Sequence, residues 1–162
     1  AHVPGHRFWH DELGFNYRMT NLQAALGVGQ LVHIGEHIKK KEWMAQRYEK
    51  GIGNIKGLRL PVTKDYATNV YWMYGILIDE DEFGTGKDEV MRLLGEKGIE
   101  TRPFFYPMHL QPVYKDNSDI DCSGDYPVSE QLYEQGFYLP SSSHLKPEQI
   151  RMICDTLKSL GK

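Results

Sequence analysis

A handful of side chains stand out for the chemistry that their types and neighbours allow: Arg7, His10, Asn16, Arg18, Arg102, Tyr106, His109 and Tyr114. They fall in two stretches that are cationic, aromatic and amide-bearing at once. Guanidinium groups offer planar forks to phosphate or carboxylate oxygens, and an amide offers both a donor and an acceptor. Rings supply stacking surfaces, so the combination suits a phosphorylated or nucleotide-bearing small molecule. Each residue also has an ordinary use. A histidine in a proline-rich aromatic loop commonly packs, and Arg102 before Pro103 can pair an acid on a neighbouring strand. Asn16, Tyr17 and Arg18, just ahead of a helix, can bind an anion at its positive end or can simply cap and pack.

Other chemistries have less behind them. His2, His6 and His10 recur at a spacing that would align them on a helix as metal ligands. Pro4-Gly5 breaks that helix, and no carboxylate or cysteine completes a set, so no metal is expected. There is no zinc signature, Walker loop, GxGxxG or nucleophile elbow. Cys122 and Cys154 have neither redox nor metal spacing and read as two free thiols of a cytoplasmic protein. A net charge of -3 and a pI near 6.2 argue against nucleic-acid or membrane-surface partners. No apolar run approaches a membrane span.

The elements that must position these groups can be read from pattern. The 162 residues, 40% hydrophobic and 25% charged, make one ordinary folded domain or one cut from a larger protein. Residues 1–19 are an irregular leading segment. From Thr20 to about Ile52 the pattern is helical, capped by Thr20 or Asn21, with Gly35 as a candidate break. Leu22, Ala25, Leu26 and Gly29 form a narrow small-residue face suited to close packing. Leu58–Pro61 is a short extended piece and Val70–Ile78 the strongest strand, followed by the acidic turn Asp79–Glu82. A helix carrying Val90, Leu93 and Leu94 inward stops at Gly98, and Ile99–Arg102 resumes as a strand halted by Pro103. Residues 115–126 are a polar surface loop. A helix at Pro127–Gln135 places Val128, Leu132 and Tyr133 inward and stops at Gly136. Phe137–Pro140 is a third strand, and a last helix after Pro147 buries Ile150, Ile153, Cys154, Leu157 and Leu160. The sum is an α+β fold: a small, mostly antiparallel sheet of about three strands with packed helices, preceded by a long helix. Between Arg102 and Tyr114, three prolines forbid regular structure while five rings or imidazoles must face something: a ligand, another domain or a partner chain.

Three blocks together resemble one family. They are Arg7-Phe8-Trp9-His10 through Asn16-Tyr17-Arg18-Met19-Thr20-Asn21-Leu22-Gln23-Ala24-Ala25, Arg102-Pro103-Phe104-Phe105-Tyr106-Pro107-Met108-His109-Leu110-Gln111-Pro112, and Gly136-Phe137-Tyr138-Leu139-Pro140-Ser141-Ser142. In this order they resemble the DegT/DnrJ/EryC1/StrS sugar-nucleotide aminotransferases, and their wording is most similar to the GDP-perosamine synthase branch. The resemblance implies the small C-terminal domain of the aspartate aminotransferase (type I pyridoxal-phosphate) fold. It implies amino transfer from glutamate to a nucleotide-linked 4-keto-6-deoxy sugar, for surface polysaccharide such as O-antigen, by a cytoplasmic homodimer with shared active sites. By the same resemblance Asn16 reaches across to the neighbour's pyridoxal 5'-phosphate, and Arg7, Arg18, Tyr106 and His109 are candidate substrate contacts.

The family's Schiff-base lysine, the acid facing the pyridine nitrogen and most of the phosphate cradle have no counterpart in the sequence. Lys64, Lys87 and Lys115 stand in other contexts. We therefore expect residues 1–19 to be a linker from a missing cofactor-binding large domain and 20–162 to be the small domain with its leading helix. The start at Ala1 agrees with a piece of a longer protein. No catalytic residue is assigned, and the isolated chain is expected to be inactive. The alternative is a free-standing, non-catalytic domain for nucleotide-sugar binding or dimerisation.

Overall fold

A computed structural model describes residues 7–162. His2 and His6 lie outside the described residues. Among those described, no cluster of His, Cys, Asp and Glu has metal-binding geometry, and no helix is long and apolar enough to cross a membrane.

The chain order is α1 (Asn21–Leu31), α2 (Ile34–Ile52), β1 (Leu58–Arg59), β2 (Tyr74–Ile78), α3 (Glu80–Phe83), α4 (Lys87–Glu96), β3 (Arg102–Pro103), α5 (Pro112–Lys115), α6 (Pro127–Gln135), β4 (Gly136–Leu139) and α7 (Pro147–Leu160). A single 3-10 turn, Met108–Leu110, precedes α5. The four short strands form one antiparallel sheet in the order β1-β2-β4-β3. The α+β expectation holds, with one more strand than read from pattern.

Alternation along β2 and β4 decides what each sheet face covers. Tyr74, Ile76 and Ile78 of β2 and Phe137 and Leu139 of β4 are buried. They meet Tyr48 and Ile52 of α2, Val90 and Leu94 of α4, and Ile153 and Leu157 of α7 in one apolar cluster. Tyr48 sends its hydroxyl out of this cluster to the Pro140 carbonyl at 2.8 Å, which satisfies the one polar atom the ring brings in.

Several boundaries move, each for a local reason. The long helix breaks at Val32-His33 rather than at Gly35; Gln30 O accepts from the His33 amide and closes a tighter turn there. The strand read from Val70 begins only at Tyr74, because Tyr71 has a φ of 47° and its amide turns back to the Asn69 side chain. Pro103 does not halt its strand but belongs to it, opposite Phe137. β3 is an edge strand, where a missing amide is tolerated. The acidic turn is a short helix, α3, capped by Asp79. Gly136 caps the C-terminus of α6 as expected and also opens β4, so the helix runs straight into the strand. Val128 and Leu132, expected inward, are exposed; the face of α6 that packs is the one bearing Tyr133. The small-residue face of α1 contacts no core: Leu22 is 80% and Leu26 71% exposed.

Cys154 lies between α7 and Gly51 of α2, where a Cβ on Gly51 would collide with its sulfur. Burial raises its thiol pKa from about 9 to about 11. The folded state therefore holds this proton longer than the unfolded chain. The resulting stabilisation is complete below about pH 9, where the unfolded thiol begins to ionise, and fades as pH rises through about 11. A disulfide reagent is expected to titrate the half-buried Cys122 rapidly and Cys154 only on unfolding; two thiols of equal rate would contradict this packing.

Candidate functional site

The second sheet face is covered by the aromatic loop. Gly75 of β2 and Gly136 of β4 leave room for the Phe104 ring, which lies where side chains on those two glycines would stand. The same ring packs at 4.5 Å from Tyr138. So the first phenylalanine of the loop faces the chain's own sheet, and the residues after it are carried to the rim. There Phe105 meets Phe8 at 4.4 Å and Tyr106 meets Trp9 at 4.9 Å. The leading segment and the aromatic loop form one unit.

What joins them is Gln111, which no sequence pattern singled out. It is the buried polar residue of the described core, 3% exposed. Its amide nitrogen donates to Phe8 O at 2.6 Å and, at a long 3.5 Å, to Tyr106 O, while its oxygen accepts from the His10 amide at 3.0 Å. The Val113 amide adds a bond to His10 O at 3.3 Å. Phe8 is held here at a φ of 65°, a conformation unusual for a bulky residue that its neighbours must impose. Replacing Gln111 by leucine leaves two or three backbone groups unpaired and is expected to cost about 2–3 kcal/mol. Faster amide exchange at His10 and Val113 than in the parent chain would locate the loss; unchanged exchange would refute the clamp.

Two of the expected site residues share one cleft of about 400 Å³: Arg7 and Tyr106, together with Trp9, Lys87 and Tyr133. Tyr133 stands edge-on to Tyr106 at 5.0 Å. Lys87, which the pattern did not nominate, donates to Tyr133 O at 2.8 Å and lies 4.6 Å above the Tyr133 ring. Its signal in the sequence was faint, a lysine in the first turn of a helix where acids are the norm. Two cations, two carboxylates (Asp88 and Glu134) and three rings thus line one opening, and the Lys87 ammonium stands 3.6 Å from Asp88.

His109 lines a second cavity of about 440 Å³ with Met108, Tyr114, Ile120 and Tyr126. Asn16 lines a third, of about 720 Å³, again with Met108 and Tyr114. Arg18 is exposed and lines none of these. Arg102 pairs with Glu100 at 3.7 Å, two residues away, rather than with an acid on the neighbouring strand. It borders a separate cavity near Ser141 and Met152.

The residues around Asn16 do not amount to a pyridoxal-phosphate site. That cavity is lined by no lysine or arginine, and its nearest ionisable groups are His10 and Glu12. Lys41, the lysine whose pKa burial lowers, is committed elsewhere: its ammonium donates to the carbonyls of Trp72 and Ser141. Asn16 offers one amide, and no described lysine stands with it to hold the cofactor.

A match to the DegT/DnrJ/EryC1/StrS aminotransferase family spans residues 2–158. The chain is 37% identical over 159 residues to the GDP-perosamine synthase of Vibrio cholerae, covering 97% of this chain and 41% of that protein. It is 37% identical over 151 residues to the GDP-perosamine synthase of Escherichia coli O157:H7, covering 93% and 39%. Among solved structures, S. venezuelae DesV in complex with a ketimine intermediate superposes with a TM-score of 0.76 at 25% identity, covering 96% of this chain and 40% of that one. The chain spans about two-fifths of the length of the curated relatives it matches.

Proposed function

We propose, from the premise that the chain belongs to the DegT/DnrJ/EryC1/StrS aminotransferase family, that it is the C-terminal portion of a sugar-nucleotide aminotransferase. The full enzyme would use pyridoxal 5'-phosphate to move an amino group from glutamate to a GDP-linked 4-keto-6-deoxy sugar, in the cytoplasm, for surface polysaccharide. Residues 1–19 would link to the cofactor-binding domain and 20–162 would form the small domain. The observation that carries this reading is the cleft holding Arg7 and Lys87 beside Trp9, Tyr106 and Tyr133. Cations beside packed aromatic rings suit a nucleoside diphosphate, and the named relatives supply the sugar. When bound, the cofactor supplies the electron sink for amino transfer; this chain's part is to bind and orient the sugar nucleotide.

The test joins the chain in frame to its upstream coding region and screens GDP-, dTDP- and UDP-linked 4-keto sugars with glutamate, reading amino-sugar formation by mass. A GDP-linked amino sugar is expected; inertness toward all three with bound cofactor would reject the reading. The chain alone, mixed with pyridoxal phosphate and reduced with borohydride, is expected to yield no stoichiometric adduct at a single lysine.

The same reading gives the exposed face of α1 a use. Leu22, Leu26, Leu31 and Val32, continuing Phe15, Tyr17 and Met19, make an apolar surface that a homodimer or the large domain would cover. The chain is expected to self-associate with concentration, and Leu22→Asp with Leu26→Asp to shift it toward monomer by light scattering. A parent chain that stays monomeric throughout would count against this surface.

A further inference from the structure

His109 has a partner that neither the sequence pattern nor the family match assigns. Its Nε2 lies 2.8 Å from Glu130 Oε1, and its side chain is only 12% exposed. The ring also packs at 4.7 Å from Tyr126. His109 sits in the 3-10 turn Met108–Leu110 and Glu130 in the first turn of α6. A helix start favours a negative charge, so the carboxylate is well placed there. An ionised carboxylate only accepts hydrogen bonds. Nε2 must therefore carry the proton in this pair, and whenever the ring is neutral its lone pair stays on Nδ1.

We infer that Glu130 is a positioning residue that locks His109 in the Nε2–H tautomer, so that His109 meets a ligand as a hydrogen-bond acceptor. The ligand part of this inference rests on the nucleotide-sugar reading above. The surroundings agree with an acceptor's role. The His109 cavity is lined by Met108, Ile120, the phenols of Tyr114 and Tyr126, and Asp121, with no arginine or lysine. Such walls repel a phosphate and suit a neutral ring rich in hydroxyl or amine donors. The cleft with Arg7 and Lys87 does offer cations to a diphosphate, beside the carboxylates of Asp88 and Glu134. The division of labour inferred is the diphosphate at the Arg7 cleft and the sugar at the His109 cavity.

Nitrogen-detected NMR of the histidine-labelled chain, with His109→Phe supplying the assignment, tests the positioning role without any ligand. The expected result, at a pH where the ring is neutral, is a His109 protonated at Nε2. In Glu130→Gln the new amide can donate to a bare Nε2, so a mixture of tautomers is expected. A parent ring protonated at Nδ1, or an unchanged tautomer in Glu130→Gln, overturns the inference. GDP-mannose and GDP then probe the ligand part. Glu130→Gln is expected to weaken GDP-mannose by about tenfold, the worth of one hydrogen bond to a buried partner, and to leave GDP within about twofold, below half a kcal/mol. Equal weakening of both overturns the division of labour. Failure of the parent chain to bind either compound, with the tautomer as expected, overturns the nucleotide-sugar reading and leaves Glu130's positioning role standing.

Discussion

Gly75→Val is expected to destabilise the chain by about 3 kcal/mol or more, at the upper end of what overpacking costs. A Cβ on Gly75 would stand 2.6 Å from Phe104 Cζ and 2.8 Å from Cε1, and 3.3 Å from Tyr138 Cε1. Phe104 cannot retreat without loss. It covers Gly136 as well, and its amide donates to the Gly136 carbonyl at 3.1 Å. The ring must leave the sheet and draw Phe105 and Tyr106 off Phe8 and Trp9. Denaturant unfolding measures the cost, and Gly75→Val combined with Phe104→Ala should recover part of it, since the two residues share one volume. A Gly75→Val chain within about 0.5 kcal/mol of the parent, the size of an ordinary surface change, would mean that the ring does not rest on the glycine.

The second large effect belongs to the cleft. Arg7→Ala is expected to weaken GDP binding by about tenfold to a hundredfold, the range for one charge-assisted hydrogen bond. Lys87→Met is expected to do the same and also to cost some stability, because Tyr133 O loses its donor. Binding to the parent should fall with added salt, as contacts between charges do. Lys97→Ala, at the exposed C-terminus of α4, serves as the control and should change neither. Retention of parent affinity in both cleft variants would remove the anion from this opening and place it elsewhere.

The sequence was legible where a single physical rule governs. Ile150, Ile153, Cys154 and Leu157 recur at the helical period and are buried as their spacing requires. Thr20, one of the two residues expected to cap the first helix, does so, and Gly98, with a φ of 74°, follows α4 as a stop. Legibility failed where a distant partner decides. Nothing near Tyr71 reveals that β2 starts late, since Ser141 Oγ, just past the end of the neighbouring strand β4, accepts from the Tyr74 amide. Pro103 reads as a strand breaker until β3 is known to be an edge. In the candidate site, composition revealed that rings and cations gather, and Arg7 and Tyr106 do share a cleft. It did not reveal Lys87, Glu130 or Gln111. Their roles rest on contacts between residues 46, 21 and 103 positions apart. Arg18 shows the converse: its neighbours in sequence are rich in chemistry, but the fold carries it to no described cavity of the site.

Gln111 binds only main-chain atoms of the leading segment, the Phe8 carbonyl and the His10 amide. A latch of that kind does not read the side chains it holds. Arg7 and Trp9 can be exchanged for other residues while the backbone that presents them stays fastened, so ligand preference and architecture are free to change separately. An engineer seeking a new nucleotide would vary positions 7 and 9 and leave position 111 alone.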